Sequence, residues 1–242
     1  MKRLKFFLGH LFISLLIALL VVGLVFFIWY SSPLATAVGV TQIFLMMLVI
    51  DVIVGPILGL LVYKEGKKSL KFDLSIIIAI QIVALCYGVY SIAQGRPAWI
   101  VFNVDRFELI RKNEIVDQNV NHAQPQFQQP SWLKPQFVAT EFAKNIEQRS
   151  DDMFAEVLGG ISIAQRPERY VDFIQAKEQI QQRAQKLDLL QQYNKKTDVR
   201  KILAKYPQAT TFLPLKASVV DMTVLVDQNS NVIKIVDLRP WH

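Results

Sequence analysis

The stretch VIDVIVGPILGLLVY, residues 49–63, sets an acid, Asp51, inside a run that otherwise reads as membrane helix, with Gly55, Pro56 and Gly59 close behind it. A charged side chain near mid-helix costs about 2.5–3.5 kcal/mol on insertion scales. Proline removes a backbone donor, kinks the helix and frees the carbonyl near position 52. Residues of this kind inside hydrocarbon are usually directed at a neighbouring helix, a watery cavity or a partner.

The surroundings set the frame. The chain of 242 residues is 52% hydrophobic, but that average hides a division. Residues 1–95 are mostly apolar, and residues 96–242 have an ordinary soluble composition. Three stretches come close to the roughly 20 apolar residues needed to cross about 30 Å of hydrocarbon. They are Leu8–Tyr30, Gln42–Tyr63 and Phe72–Tyr90. The expected fold is therefore an α-helical membrane region of three transmembrane helices followed by a soluble domain.

Lys2, Arg3 and Lys5 precede the first span, the connection 31–41 carries no charge, and KEGKKSLK (64–71) holds four lysines against Glu65. Basic residues in short loops stay cytoplasmic. The sequence predicts a cytoplasmic N-terminus and second loop, with the chain after Tyr90 exported. Ala35-Thr36-Ala37 has the spacing of a signal cleavage site, but the first apolar run exceeds the roughly 7–15 residues of a signal core. A retained anchor is expected.

The net charge of +7 divides into +4 for residues 1–95 and +3 for residues 96–242. Topology explains the first part, and the second is scattered without the basic stripe that nucleic acid needs. The single cysteine, Cys86, lies in the third span, so the exported part must hold together by packing alone.

Residues 97–104, PAWIVFNV, continue into DRFELI and read as one strand or two. Residues 114–136, with Pro125, Pro130 and Pro135 among Asn and Gln, read as an irregular excursion. A helix is expected over 137–158, with Val138, Phe142, Ile146, Phe154 and Val157 as its apolar face and Gly159-Gly160 as its end. A longer one is expected from Pro167 through Leu190. Residues 217–226 and 232–238, separated by the turn-forming 227–231, read as a closing hairpin. The exported domain is thus predicted to be α+β with a C-terminal hairpin.

Catalytic and metal chemistry are not indicated. His10, His122 and His242 lie far apart and read as a membrane-edge residue, a loop residue and the C-terminus. Gly66-Lys67-Lys68-Ser69 lacks the upstream glycine and strand of a phosphate loop. Asp151-Asp152 reads as helix-start charge favoured by the helix dipole. No cofactor and no enzyme activity are expected.

Asp51, Gly55 and Gly59 recur every four residues, so they share one helix face. Small residues at that spacing let two helix backbones approach closely. The face combines a groove with a polar group, a candidate binding site for a partner's transmembrane helix, with Pro56 beside it. The other reading is packing against the first and third helices of the same chain.

Taken together the sequence resembles the type IV pilin accessory proteins, the TfpX/TfpZ-like family. The likeness rests on VIDVIVGPILGLLVYKEGKKSLKFD (49–73), RPAWIVFNVDRF (96–107), LGGISIAQRPERY (158–170) and LRPW (238–241), and covers essentially the whole length. It implies an inner-membrane, chaperone-like protein with a periplasmic domain, which binds a cognate type IV pilin and assists pilus assembly or pilin stability, alongside the assembly machinery. Trp99, Phe102, Arg106 and Tyr170 are candidate contacts for the pilin head, with core packing as the other role of the aromatics. Two competing readings use Asp51 differently. One is a small ion-coupled transporter titrating that acid, and the other a ligand-sensing membrane protein.

Overall fold

The computed structural model describes residues 2–141, 143 and 145–241. One compact unit runs through Gly95 apart from Thr36–Val38, and a second takes those three residues and the chain from Arg96 on.

In the first unit, α1 (Lys2–Gly23) continues into a π-helical stretch, Leu24–Trp29. A short turn, α2 (Leu34–Ala37), leads to α3 (Val40–Val62) and α4 (Leu70–Gln94). The three long apolar helices run 28, 23 and 25 residues, so each is long enough to cross hydrocarbon at 1.5 Å per residue. Only 17–22% of their apolar windows is buried inside the protein. The remaining apolar surface requires lipid. Helix α3 is central: it packs along both α1 and α4, which meet each other little. The helix ends are tied as well. Tyr30 Oη donates to the Ile92 carbonyl at 2.7 Å, and Arg3 Nε to the Leu60 carbonyl at 2.6 Å.

The second unit is built on an eight-stranded mixed sheet, ordered β4-β3-β1-β2-β6-β7-β8, with β5 paired to β6. Strands β1 (Pro97–Asn103) and β2 (Arg106–Arg111) form an antiparallel hairpin. All seven residues of β1 are buried, which the continuous apolar run 97–102 allows. Strand β3 (Gln136–Thr140) runs parallel to β1, and β4 (Tyr170–Asp172) antiparallel to β3. The other half comprises β6 (Thr211–Lys216), β7 (Met222–Val226) and β8 (Val232–Val236), paired antiparallel in sequence order. The halves join where Phe107 and Glu108 run parallel beside Leu215 and Lys216.

Each half carries a core. In the first, Trp99, Phe127 and Tyr170 pack edge to face, with ring centroids 5.5–6.1 Å apart. Phe127 comes from the irregular segment 114–136, which is thereby pinned to the sheet. On the other side of the hairpin, Phe102, Phe107, Phe137 and Phe173 form a second aromatic group. The C-terminal half closes over Leu190, Val199, Phe212, Leu225, Val236 and Leu238.

The α+β class and the closing hairpin stand as the sequence predicts, but two helices do not. Residues 136–140 are strand β3, because Val138 and Ala139 are buried beside β1. The helix, α5 (Ile146–Gly159), starts only where Asn145 Oδ1 accepts from Gln148 N at 2.7 Å. Phe142, expected on its apolar face, lies outside the described residues. The long helix from Pro167 is also absent. Tyr170 enters β4, and Asp172 Oδ1 caps Ile174 N at 2.9 Å and starts a fresh turn. Only α6 (Lys177–Arg183), β5 (Gln185–Lys186) and the short α7 (Leu190–Tyr193) follow, before α8 (Lys196–Leu203). Asp152 is no helix-start charge either: it is buried and ion-paired to Arg169 at 2.7 Å and to Arg166 at 3.0 Å.

Tyr170 links the core to pH. Its hydroxyl donates to the Ala164 carbonyl, and burial, then the charges of Glu168 and Glu108, hold its pKa well above 10. Below about pH 10, the free tyrosine value, folded and unfolded phenols both keep their proton and this contribution is complete. Above it the unfolded phenol ionises first, so stability falls as pH rises. Tyr170→Phe should lower stability by about 0.5–1.5 kcal/mol at pH 8 through the lost hydrogen bond. It should also flatten the decline between pH 10 and 11, read from urea midpoints of the full chain in detergent. An unchanged slope would contradict this account.

Candidate functional site

The polar groups of the membrane helices converge on Gln81, in α4. His10 Nε2 donates to Gln81 Oε1 at 2.9 Å. Gln81 Nε2 donates in turn to Ser14 Oγ at 3.0 Å and to the Asp51 carbonyl at 2.8 Å. One amide therefore joins α1, α3 and α4. The amide reaches α3 beside a gap in its ladder, since Pro56, inside the helix, has no N–H to donate. The carbonyl served is that of Asp51, one residue before the Val52 carbonyl that Pro56 leaves without its helical donor.

The glycines make this convergence possible. A Cβ on Gly55 would lie 1.9 Å from Gln81 Oε1, and one on Gly59 3.0 Å from a ring carbon of Phe6. The face that the sequence marks as a groove is thus filled by side chains of this chain's own α1 and α4. Gly55, Pro56 and Gly59 are all buried.

Beside this cluster lies a cavity of about 240 Å³. Its walls are Ile13, Ile17 and Ala18 from α1 and Ile78, Ile82 and Leu85 from α4. Leu48, Asp51 and Val52 of α3 complete it, and His10, Ser14 and Gln81 also reach it. Because α1 and α4 pack on α3 and scarcely on one another, the cavity is a cleft between them. At this cleft the buried acceptor Asp51 Oδ2 has no hydrogen-bond partner among the described residues. His10 Nδ1 has none there either, but it faces α3 at Gly59, 3.5 Å from where a Cβ on that glycine would lie. The arrangement is suited to a largely apolar occupant that presents a hydrogen-bond donor.

The soluble candidates fall differently. Trp99, Phe102 and Tyr170 are at most 2% exposed and belong to the core. Arg106 is half-buried, 4.0 Å from Glu108 and 3.8 Å from Asp105. Sequence reading missed Gln81 and Ser14, and took His10 for a membrane-edge residue, although it belongs to the cluster. A signal was there: Gln81 is an amide in the middle of an apolar span, and polar residues at that depth carry a function by default. Among the described residues no group of three or more His, Cys, Asp or Glu could hold a metal.

Three apolar spans, a polar cluster within them and an α+β domain define a membrane-anchored protein with one soluble domain. The family model of the fimbrial assembly protein FimB matches residues 1–39, the segment that carries His10 and Ser14. The fimbrial assembly protein of serogroup I from Dichelobacter nodosus is 32% identical over 95% of this chain and 92% of its own length. That of serogroup E1 is 31% identical over the same shares. That of serogroups C1 and C2 is 37% identical over 44% of this chain and 83% of its own. The chain belongs to the fimbrial assembly protein family. No solved structure matches it.

Gly55→Ala tests the convergence. The added methyl must displace the Gln81 amide and with it three hydrogen bonds, worth about 0.6 kcal/mol each inside a membrane protein. Unfolding of the purified protein in mixed micelles should show a loss of roughly 2 kcal/mol on that basis. Gly9→Ala, where nothing lies within 4 Å of the added carbon, should be neutral or slightly stabilising. Equal effects of the two would contradict the Gln81 hub.

Proposed function

We propose that this protein acts in fimbrial assembly by holding a cognate type IV pilin in the inner membrane before it enters the fibre. The observation that carries this reading is the cleft between α1 and α4, with apolar walls and the unpartnered acceptor Asp51 Oδ2. A transmembrane helix fits such a cleft: its side chains match the walls, and a polar group on it can satisfy the Asp51 acceptor. Unsatisfied groups in hydrocarbon are costly, so the cleft favours a helix that brings a donor over lipid that brings none. The fimbrial assembly role in the names of its D. nodosus relatives supports the same direction.

In this reading the residues of the α3 face divide their work. Asp51, with Leu48 and Val52, meets the pilin helix. Gly55, Pro56 and Gly59 let Gln81 and α1 close on α3 and so shape the cleft. The basic residues at 2–5 and 64–71 keep those segments cytoplasmic. The domain from Arg96 then lies in the periplasm, where the pilin head would be, and half-exposed Arg106 is its candidate contact. The activity is binding of a chaperone-like kind, without catalysis.

Val52→Trp, which fills the cleft, and Asp51→Leu, which removes its acid, should each reduce pilin co-purified from native membranes by about tenfold, the equivalent of 1.4 kcal/mol. Surface fimbriae should fall with it. Leu61→Trp, on a side chain that is 67% exposed towards lipid, should leave both unchanged. Normal pilin recovery with both cleft variants would contradict the proposal.

A further inference from the structure

Helix α5 is inside out. Asp152 is buried on one side, with both carboxylate oxygens 2.7 Å from Arg169 Nη1 and one of them 3.0 Å from Arg166 Nη1. Arg169 also donates to the Glu141 carbonyl at 3.0 Å. A charged, hydrogen-bonded side of the helix is therefore clamped to the domain. On the opposite side Ile146, Met153, Phe154, Val157 and Leu158 are 58–88% exposed. At 100° per residue these five fall in a stripe on one side of the helix, with Ser150 and Glu147 set among them, and Asp152 falls diametrically across from its centre. The helix ends with that stripe uncovered: Gly160 turns left-handed at φ 64°, and Ile161 N donates back to the Ala155 carbonyl at 3.1 Å.

The stripe has a charged border. Asp151 is exposed along one of its edges, and Glu147, one turn away, is exposed just inside that edge between Phe154 and Leu158. The other edge carries Arg149 and Glu156, of opposite sign. This pattern discriminates among occupants. Helices that lie on bilayers bring Lys and Arg to anionic headgroups, whereas α5 is net acidic. Antiparallel pairing with a second copy would set the Glu147/Asp151 edge against itself, with like charges opposed. An apolar surface bordered by Lys or Arg satisfies both features.

We propose that the exposed stripe of α5 is a docking surface for another protein, one that offers an apolar patch with basic residues along one border. The Asp152–Arg169 clamp serves this surface by holding the polar side of α5 inward and the apolar side out. The mode is that of an amphipathic helix laid into a groove, read by anchors spaced three, four and seven residues apart. It goes beyond the membrane cleft and stands whether or not a pilin helix occupies that cleft.

The test places a photo-reactive phenylalanine at Phe154 and, separately, at Leu158 of the full chain in native membranes. The crosslinked peptides are identified by mass spectrometry. The expected result is one protein other than this chain, joined through an apolar peptide with Lys or Arg within a few residues. The double variant E147K/D151K should cut that yield about tenfold. Capture of lipid, of a second copy or of the chain's own residues, or no capture at all, would overturn the proposal. So would a yield indifferent to the charge reversal. As a second measurement, Phe154→Ala and Leu158→Ala should leave the urea midpoint of the full chain unchanged, since these side chains are 58% and 79% exposed. A lowered midpoint would show the stripe covered by the chain itself and equally overturn it.

Discussion

In the membrane region one carboxamide holds three helices. Gln81 accepts from His10, and donates to Ser14 and to the Asp51 carbonyl. Helices in lipid gain little from apolar contact, since acyl chains are as apolar as leucine. Close approach and hydrogen bonds must set their arrangement. Gly55 provides the approach, by leaving the space that the Gln81 side chain occupies. Pro56 removes the helical donor to the Val52 carbonyl, one residue beyond the carbonyl that this amide reaches. The arrangement leaves α1 and α4 apart, and the cleft between them follows from it.

The soluble domain rests on a different constraint. It has no cysteine, so burial must do what disulfides would otherwise do. Strand β1 is the means: buried along its whole length, it pairs with β2 on one side and β3 on the other, and aromatic groups cover both its faces. Trp99, Phe102 and Tyr170 belong to that packing. What remains free for other molecules lies on elements that the sheet does not need, and α5 is the clearest of them.

The large features were legible because they follow from composition. Three long apolar runs and an excess of lysine between two of them need no tertiary information, and alternation around a turn-rich 227–231 fixes β7 and β8. Asp51 and its glycines stood out for the same reason. What was not legible depends on partners in space. Gln81 carries no charge, so a search for charges passed over it. Periodicity shows that Ile146, Phe154 and Val157 share a face, but cannot show whether that face is covered. The apolar spacing between Tyr170 and Leu190 mimics one helix because several short elements turn Tyr170, Ile180 and Leu190 towards the core, while Ile174 stays exposed. Strand β6 was hidden by Pro214, which is tolerated because β2 pairs only from Leu215 and β5 only to Phe212.

The cleft is the point on which the functional account turns. The most direct measurement puts a photo-reactive side chain on its two walls in turn, at Ile13 of α1 and Ile82 of α4, in membranes of cells making their own pilin. The account predicts that both positions capture the same transmembrane segment of pilin, and that Leu61, facing lipid, captures none. Capture of lipid alone from both walls, or of pilin equally from Leu61, would contradict it.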